Sequence, residues 1–218
     1  MGKYSNIRAL ATAAQRRHSL CLTYDDGSGA GLTLRVLELL AQRGARATFF
    51  LLGRRAQANP SAADAVAAAG HEIGCHTHDH LNAWKTTPGR STADVQRGYE
   101  TLARWLPKRC LFRPPYGKIT PWTSRVARRH GSRLGWWTID SGDTWQTLPS
   151  VQSVVDRVKN AGGGVVLMHD FDRLGDDANE RAEFVLAVTT GLLELADEIG
   201  LRVEPLGELL DEMEKKSE

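Results

Sequence analysis

From residue 19 onward, short apolar runs that read as β-strands alternate with longer runs of helical periodicity, and this alternation leaves few folds open to the chain. Residues 19–24 read as a strand and 32–42 as an amphipathic helix closed by Gly44. Residues 47–52 are strand-like, and 61–69 form an Ala-rich helix bounded by Pro60 and Gly70. The pattern repeats with strands over 71–75, 110–113, 134–140, 164–169 and 201–204, and helices over 92–106, 121–130, 151–159 and 181–199 before a C-terminal helix. Strands separated by helices pair in parallel, because parallel neighbours need crossover connections. About seven such units predict an α/β fold, a distorted (β/α)7 barrel, with an open doubly wound sheet as the alternative. With 218 residues and no repeats, linkers or low-complexity tracts, residues 1–218 are expected to form one domain.

Charge narrows the choice of partner. Lys and Arg number 28 against 26 Asp and Glu, a net +2 that gives too weak a field to recruit nucleic acid or an acidic membrane. The pairs Arg54-Arg55 and Arg128-Arg129 lack the interleaved aromatics of a nucleic-acid surface. No stretch approaches the roughly 18 apolar residues of a membrane span. The first twenty residues contain Arg8, Arg16 and Arg17 but no apolar run of secretory length, so a cytoplasmic location is the expectation; a mature or truncated chain would read the same way. Cys21, Cys75 and Cys110 are odd in number and lack zinc-knuckle spacing, which predicts buried reduced thiols.

The chemically capable residues fall at the C-terminal ends of the predicted strands. Asp25-Asp26 ends the first, His76 to His80 the third, Arg113-Pro114-Pro115-Tyr116 the fourth, Asp140-Ser141-Gly142-Asp143 the fifth and His169-Asp170 the sixth. In parallel α/β folds this is the rim where sites are built. Singly, each has a plainer reading: paired aspartates cap helices, Asp26-Gly27 suits a turn, and a buried histidine is more often core than catalyst. Five together at one rim point to a site. Two imidazoles and a carboxylate suit Zn²⁺, and also Co²⁺, Ni²⁺ or Mn²⁺, with positions left for water and substrate. An extended strand would put His76, His78 and His80 on one face, so spacing alone leaves open which histidines and which aspartate bind. A second carboxylate can act as base and a histidine from another strand as acid.

These motifs, in this order, resemble those of the polysaccharide deacetylase family, also called the NodB homology domain or carbohydrate esterase family four. The resemblance covers residues 19–210 and rests on five motifs: Thr23-Tyr24-Asp25-Asp26-Gly27, His76-Thr77-His78-Asp79-His80, Arg113-Pro114-Pro115-Tyr116, Asp140-Ser141-Gly142-Asp143-Thr144-Trp145 and Leu167-Met168-His169. It implies one divalent metal, most commonly Zn²⁺, on Asp26, His76 and His80, with His78 not a ligand. It further implies Asp25 as general base oriented by Arg113, His169 as general acid paired with Asp140, the backbone N–H of Tyr116 as an oxyanion donor, and Trp145 as a wall facing the sugar. The implied activity is hydrolytic removal of an N-acetyl group from an amino sugar or N-acetylated glycan. Deacylation of O-acetyl or formamido sugars and a non-catalytic carbohydrate-binding relic are the alternatives. A relic commonly lacks the base or a ligand, and here all are present. Three departures stand out: Tyr24 replaces the usual Phe, Ser28 stands where Pro is frequent, and Thr144 separates Asp143 from Trp145. Residues 81–91 and 171–180 are expected to be specificity loops, with Trp84 and Trp122 near the rim and Trp136 and Trp137 in the core. Relatives acting on cell-wall polymers are typically exported, so the cytoplasmic expectation favours a nucleotide sugar, small glycoside or lipid-linked intermediate.

Overall fold

Strand β1 (Ser19–Asp25) is buried at all seven of its positions, the mark of a strand covered on both faces. It lies in a curled parallel sheet, and the computed structural model describes residues 7–215 of the chain around it. The other strands are β2 (Thr48–Leu51), β3 (Glu72–Cys75), β4 (Leu111–Phe112), β5 (Arg133–Leu134), β6 (Ile139–Asp140), β7 (Gly164–His169) and β8 (Arg202–Val203). Their order is β5-β4-β3-β2-β1-β7-β6. β8 pairs with the start of β1, below the stretch that pairs with β2. The architecture is a half-barrel, and β5 and β6 stand at its two edges.

Here the predicted strand over 134–140 is corrected. The structure divides it into β5 and β6, because Gly135 and the two residues after it leave the ladder and turn main-chain groups toward the interior. Trp136 and Trp137, expected on a strand in the core, are half-buried on this connection and pack against the inner cluster. Two helices that the periodicity does not announce are α1 (Ile7–Arg17), which buries only Leu10 and Ala14, and the six-residue α3 (Gly53–Ala58). The remaining helices are α2 (Leu32–Gln42), α4 (Pro60–Ala68), α5 (Pro88–Leu102), α6 (Pro121–Arg129), α7 (Val151–Ala161), α8 (Ala178–Ile199) and α9 (Leu206–Lys215). Helix α5 begins and ends four residues earlier than predicted, with Pro88 in its first turn where a missing N–H costs nothing. Among the described residues no helix is long and apolar enough to cross a membrane.

The period-two alternation of the strands sorts side chains into two layers. Leu20, Leu22 and Tyr24 of β1, Phe49 and Leu51 of β2, and Val166 and Met168 of β7 face the outer helices in the larger core. Cys21, Phe50, Leu111 and Val165 face inward, where Leu10 and Ala14 of α1 and Leu206, Leu209 and Leu210 of α9 pack with them. Phe50 fills the middle of this inner space. Gly74 and Gly135 make room for it, since a Cβ at either position would collide with its ring. On the same inward face of β1, Thr23 and Asp25 follow Cys21 and Ser19 precedes it, bonded to the buried Glu204, so the inner space is apolar in its middle and polar at its foot and upper rim. All three cysteines are buried free thiols.

The hydroxyl of Tyr24 finds its partner in this outer core. Thr189 Oγ1 of α8 lies 2.9 Å away and itself donates to the Val185 carbonyl at 2.8 Å, so the tyrosine donates and the threonine accepts. Tyr24→Phe is expected to cost about 1 kcal/mol, one net buried hydrogen bond. Thr189→Val strands the buried phenol and is expected to cost about 1–3 kcal/mol. Chemical denaturation of the two variants tests the order; equal losses would contradict the assignment of donor and acceptor.

Candidate active site

The register of the sheet brings the rim residues together. Asp25 and His169 are direct Cα partners across β1 and β7, and Cys75 and Phe112 are partners across β3 and β4, which sets His76 beside Arg113. The chain then bends sharply: Asp26, Thr77, His80 and Tyr116 all have positive φ, between 58° and 70°. Residues other than glycine rarely adopt this conformation, and its concentration at one rim marks a built site. The bend at Asp26 is held by its N–H on the Phe50 carbonyl and by Arg55, whose Nη1 donates to the Asp26 carbonyl at 2.7 Å.

Asp26, His76 and His80 present one donor atom each, all within 4.8 Å of one another. Asp26 Oδ1 lies 3.6 Å from His76 Nε2 and 3.3 Å from His80 Nε2. His76 Nδ1 is 2.7 Å from the carbonyl of Arg113, an acceptor only, so this nitrogen carries the proton and Nε2 turns a lone pair toward the cluster. Burial lowers the His76 pKa to about 3 and also depresses that of His80, so both imidazoles are neutral and able to bind a metal. Asp26 Oδ1 is buried with no hydrogen-bond partner. A buried carboxylate oxygen facing a lone pair is costly unless a cation lies between them, and this donor set fits a divalent ion. His78 turns away from the cluster, because the left-handed Thr77 breaks the extended path; its Nδ1 meets Thr101 Oγ1 at 3.1 Å.

Beside the cluster, Asp25 Oδ1 accepts from Arg113 Nη1 at 2.7 Å, while Oδ2 lies 3.7 Å from His76 Nε2. Burial pushes the Asp25 pKa above its ordinary value, and the Arg113 and His169 charges only partly oppose it. Desolvation thus outweighs the pull of Arg113 toward the ionised form. Across the rim, His169 Nδ1 is 3.0 Å from Asp143 Oδ1, and the Asp143 carboxylate also accepts from the His169 backbone N–H and from Arg173 Nη2, each at 3.0 Å. Burial works against protonation of His169, but the Asp143 carboxylate overrides it and raises the pKa to about 9.

The expectation that Asp140 pairs with His169 is overturned. Asp140 Oδ1 instead accepts from the backbone N–H of Gly142 at 2.8 Å, a side-chain turn that closes the end of β6, and the chain comes round to present Asp143. Arg173 also went unforeseen, since it sits in a polar loop with no motif around it. Tyr116 is exposed, with its ring 4.5 Å from that of His80. Trp145 is exposed on the loop after β6, where Arg181 donates to its carbonyl and to that of Asp143. Trp84 and Trp122 are exposed as expected, and Trp84 carries Lys118 Nζ 4.4 Å above its ring.

A half-barrel with two neutral imidazoles and an aspartate as donor set, a second buried carboxylate and a protonated imidazole at one rim defines a metal-dependent hydrolase. The polysaccharide deacetylase family model matches residues 12–135, and the chain belongs to this family. It is 36% identical over 193 residues to a peptidoglycan-N-acetylglucosamine deacetylase of Bacillus cereus, covering 88% of this chain and 87% of that protein. It is 30% identical over 168 residues to a chitooligosaccharide deacetylase of Azorhizobium caulinodans, covering 73% of this chain and 77% of the relative. Among solved structures, a peptidoglycan N-acetylglucosamine deacetylase bound to 4-naphthalen-1-yl-N-oxidanyl-benzamide superposes with a TM-score of 0.76 at 26% identity, over 89% of each chain.

The Asp143 pairing carries a pH signature. Because the His169 pKa rises from its ordinary 6.5 to about 9 on folding, the pair stabilises fully below the unfolded value, and this contribution is lost as pH climbs through about 9. Asp143→Asn is expected to drop the His169 pKa to its ordinary value or below, leaving burial unopposed, and to erase that slope of stability. Asp140→Asn is expected to leave the titration near 9. Histidine NMR titrations of both variants test this, and a fall caused by Asp140→Asn alone would reverse the assignment.

Proposed function

We infer that the protein hydrolyses the N-acetyl amide of an N-acetylglucosamine residue in a glycan, with Zn²⁺ held by Asp26, His76 and His80. Co²⁺, Ni²⁺ and Mn²⁺ suit the same donors. A divalent ion at this position supplies a Lewis acid that lowers the pKa of water and polarises the acyl oxygen. Asp25 then takes the proton from the attacking water. Its Oδ1 is engaged by Arg113, so Oδ2 is the oxygen available for the transfer. The proton affinity that burial adds makes it a stronger base than a surface carboxylate, and Arg113 partly offsets that gain.

As the C–O bond forms, negative charge grows on the acyl oxygen, and the backbone N–H of Tyr116 is placed in the role of donor to it. His169, kept protonated by Asp143, gives its proton to the nitrogen as the C–N bond breaks. Acetate and a free amine result. The observation that carries this reading is the adjacency of Asp25 and His169 in the register of β1 and β7, which sets a base and an acid of opposite protonation side by side beside the donor cluster. The glycan and its N-acetyl group are supported by the names of the relatives, a peptidoglycan-N-acetylglucosamine deacetylase and a chitooligosaccharide deacetylase.

Acetate release from chitooligosaccharides and peptidoglycan fragments, compared with acetylxylan and nucleotide-linked N-acetyl sugars, tests the substrate. Release from the N-acetylated glycans is expected to stop with a chelator and return with Zn²⁺ or Co²⁺. Release confined to acetylxylan, or indifferent to the chelator, would refute the reading. Asp25→Asn is expected to retain metal and lose about 10²–10⁴-fold in kcat, the scale of general-base catalysis. His169→Ala is expected to slow amide cleavage far more than cleavage of an activated ester, whose leaving group needs no proton; equal losses would remove it as the acid.

A further inference from the structure

His80 reaches Asp26 only because residues 77–81 double back, with left-handed backbone at Thr77 and at His80. A strand end bent this way has no neighbouring strand for its amides, and four successive N–H groups, those of His78 to Leu81, must find other acceptors. One buried side chain takes three of them, sharing the first, that of His78, with the Asp94 backbone carbonyl at 3.2 Å. Asp94, in the second turn of α5, accepts through Oδ1 from His78 N at 3.2 Å and Asp79 N at 2.6 Å, and through Oδ2 from Leu81 N at 3.2 Å. The fourth N–H, that of His80, goes to Thr77 Oγ1 at 3.1 Å. Asp94 is only 5% exposed. Convergent amides of this kind form a cradle for an anion, and here the anion belongs to the chain.

Asp94 can reach the bend because α5 lies unusually close to it. One turn further along the same face, Gly98 lies against the backbone of Thr77, and a Cβ there would stand 2.6 Å from the Thr77 carbonyl carbon. Any larger residue would lift the helix and draw Asp94 away from the amides.

We propose that Asp94 is a positioning residue for the metal ligand His80, and that Gly98 supplies the clearance that lets it act. This rests on the reading of Asp26, His76 and His80 as the metal site. Asp94 touches neither substrate nor metal; it fixes the backbone from which His80 projects. Asparagine has the same shape as aspartate, but one of its two terminal atoms donates. It can therefore serve His78 and Asp79, or Leu81, and sets a donor against a donor on the other side.

Competition titrations of Zn²⁺ against a chromophoric chelator, on the wild type, Asp94→Asn and Gly98→Ala, test the proposal. Both variants are expected to keep their far-ultraviolet circular dichroism and to bind Zn²⁺ about 10–100-fold more weakly, the range for partners that orient metal ligands. Co²⁺ loaded in place of Zn²⁺ is expected to show shifted absorption bands, and part of the lost deacetylase activity is expected to return as free Zn²⁺ rises above the new Kd. A folded Asp94→Asn variant with wild-type Zn²⁺ affinity, its Tm alone lowered, would reduce Asp94 to a purely structural residue and overturn the proposal. Should Asp94→Asn fail to fold, the same titration on Gly98→Ala decides. Failure of the wild type to bind any divalent ion would strike the metal reading, a result distinct from equal affinities in wild type and variant.

Discussion

The guanidinium of Arg113 is the interaction on which the upper half of the barrel depends. It is fully buried in the inner space and reaches Gly135 O through Nε, Thr23 Oγ1 and Asp25 Oδ1 through Nη1, and Trp136 O through Nη2, with Phe50 stacked 4.0 Å beneath it. A buried charge is tolerable only when its donors are met, and breaking a buried ion pair by removing one partner costs about 3–5 kcal/mol. The consequences run in two directions. Toward the sheet edge, Arg113 draws the Gly135 and Trp136 carbonyls inward and so ends β5. Toward the site, its side chain fixes the base while its carbonyl fixes the tautomer of His76. One residue thus couples the shape of the half-barrel to the protonation of Asp25 and His76, the proposed base and a proposed metal ligand.

Around that anchor the site separates charge by environment. Asp25 and His169 are nearest neighbours in register, yet each has its own buried partner of opposite sign, Arg113 for the carboxylate and Asp143 for the imidazole. Both pKa values rise, the first because burial penalises the carboxylate and the second because Asp143 outweighs burial. A base of raised proton affinity facing an acid that holds its proton near neutral pH is the pairing that water attack and amine departure require in turn. His76, by contrast, is held neutral, as a metal ligand must be.

Much of this was legible in the chain, for reasons that differ by residue. Helix 32–42 and strand 164–169 were bounded correctly because glycines punctuate them, Gly31 and Gly44 around the helix and Gly162-Gly163 before the strand. That strand ends in a parallel sheet share a rim made the place of the donors legible, but the choice of Asp26, His76 and His80 came from the family resemblance, since spacing left it open. What failed was whatever depended on side chains meeting across the sheet. Asp140 and Asp143 are equally good candidates in one dimension, and only the local turn on Gly142 shows that the first is spent on its own backbone. Spacing alone admits His78 to the cluster, whereas the resemblance left it out, and the left-handed Thr77 turns it away. Helix α1 went unseen because only two of its eleven residues are buried. Asp94 reads in sequence as one more charge on a polar helix, and its burial is a tertiary fact.

The rim is also where the fold carries its local costs. Asp26, Thr77, His80 and Tyr116 each hold a conformation that costs about 1–2 kcal/mol for a residue other than glycine, and Asp26 adds an unpaired buried oxygen. Each cost is met nearby: Arg55 and the Phe50 carbonyl hold Asp26, Asp94 holds the bend from Thr77 to His80, and the turn from Pro114 to Lys118 holds Tyr116. Below the rim, Cys21, Phe50, Leu111 and Val165 pack against α1 and α9. Of the five non-glycine residues with left-handed backbone among those described, four stand at the rim and only His18 at the foot of β1, so most of this strain gathers where Asp26, His76, His80, Asp25 and His169 are held in fixed relation. A divalent ion held by Asp26, His76 and His80 would give the unpaired Asp26 oxygen its partner, so ion binding would stabilise the rim.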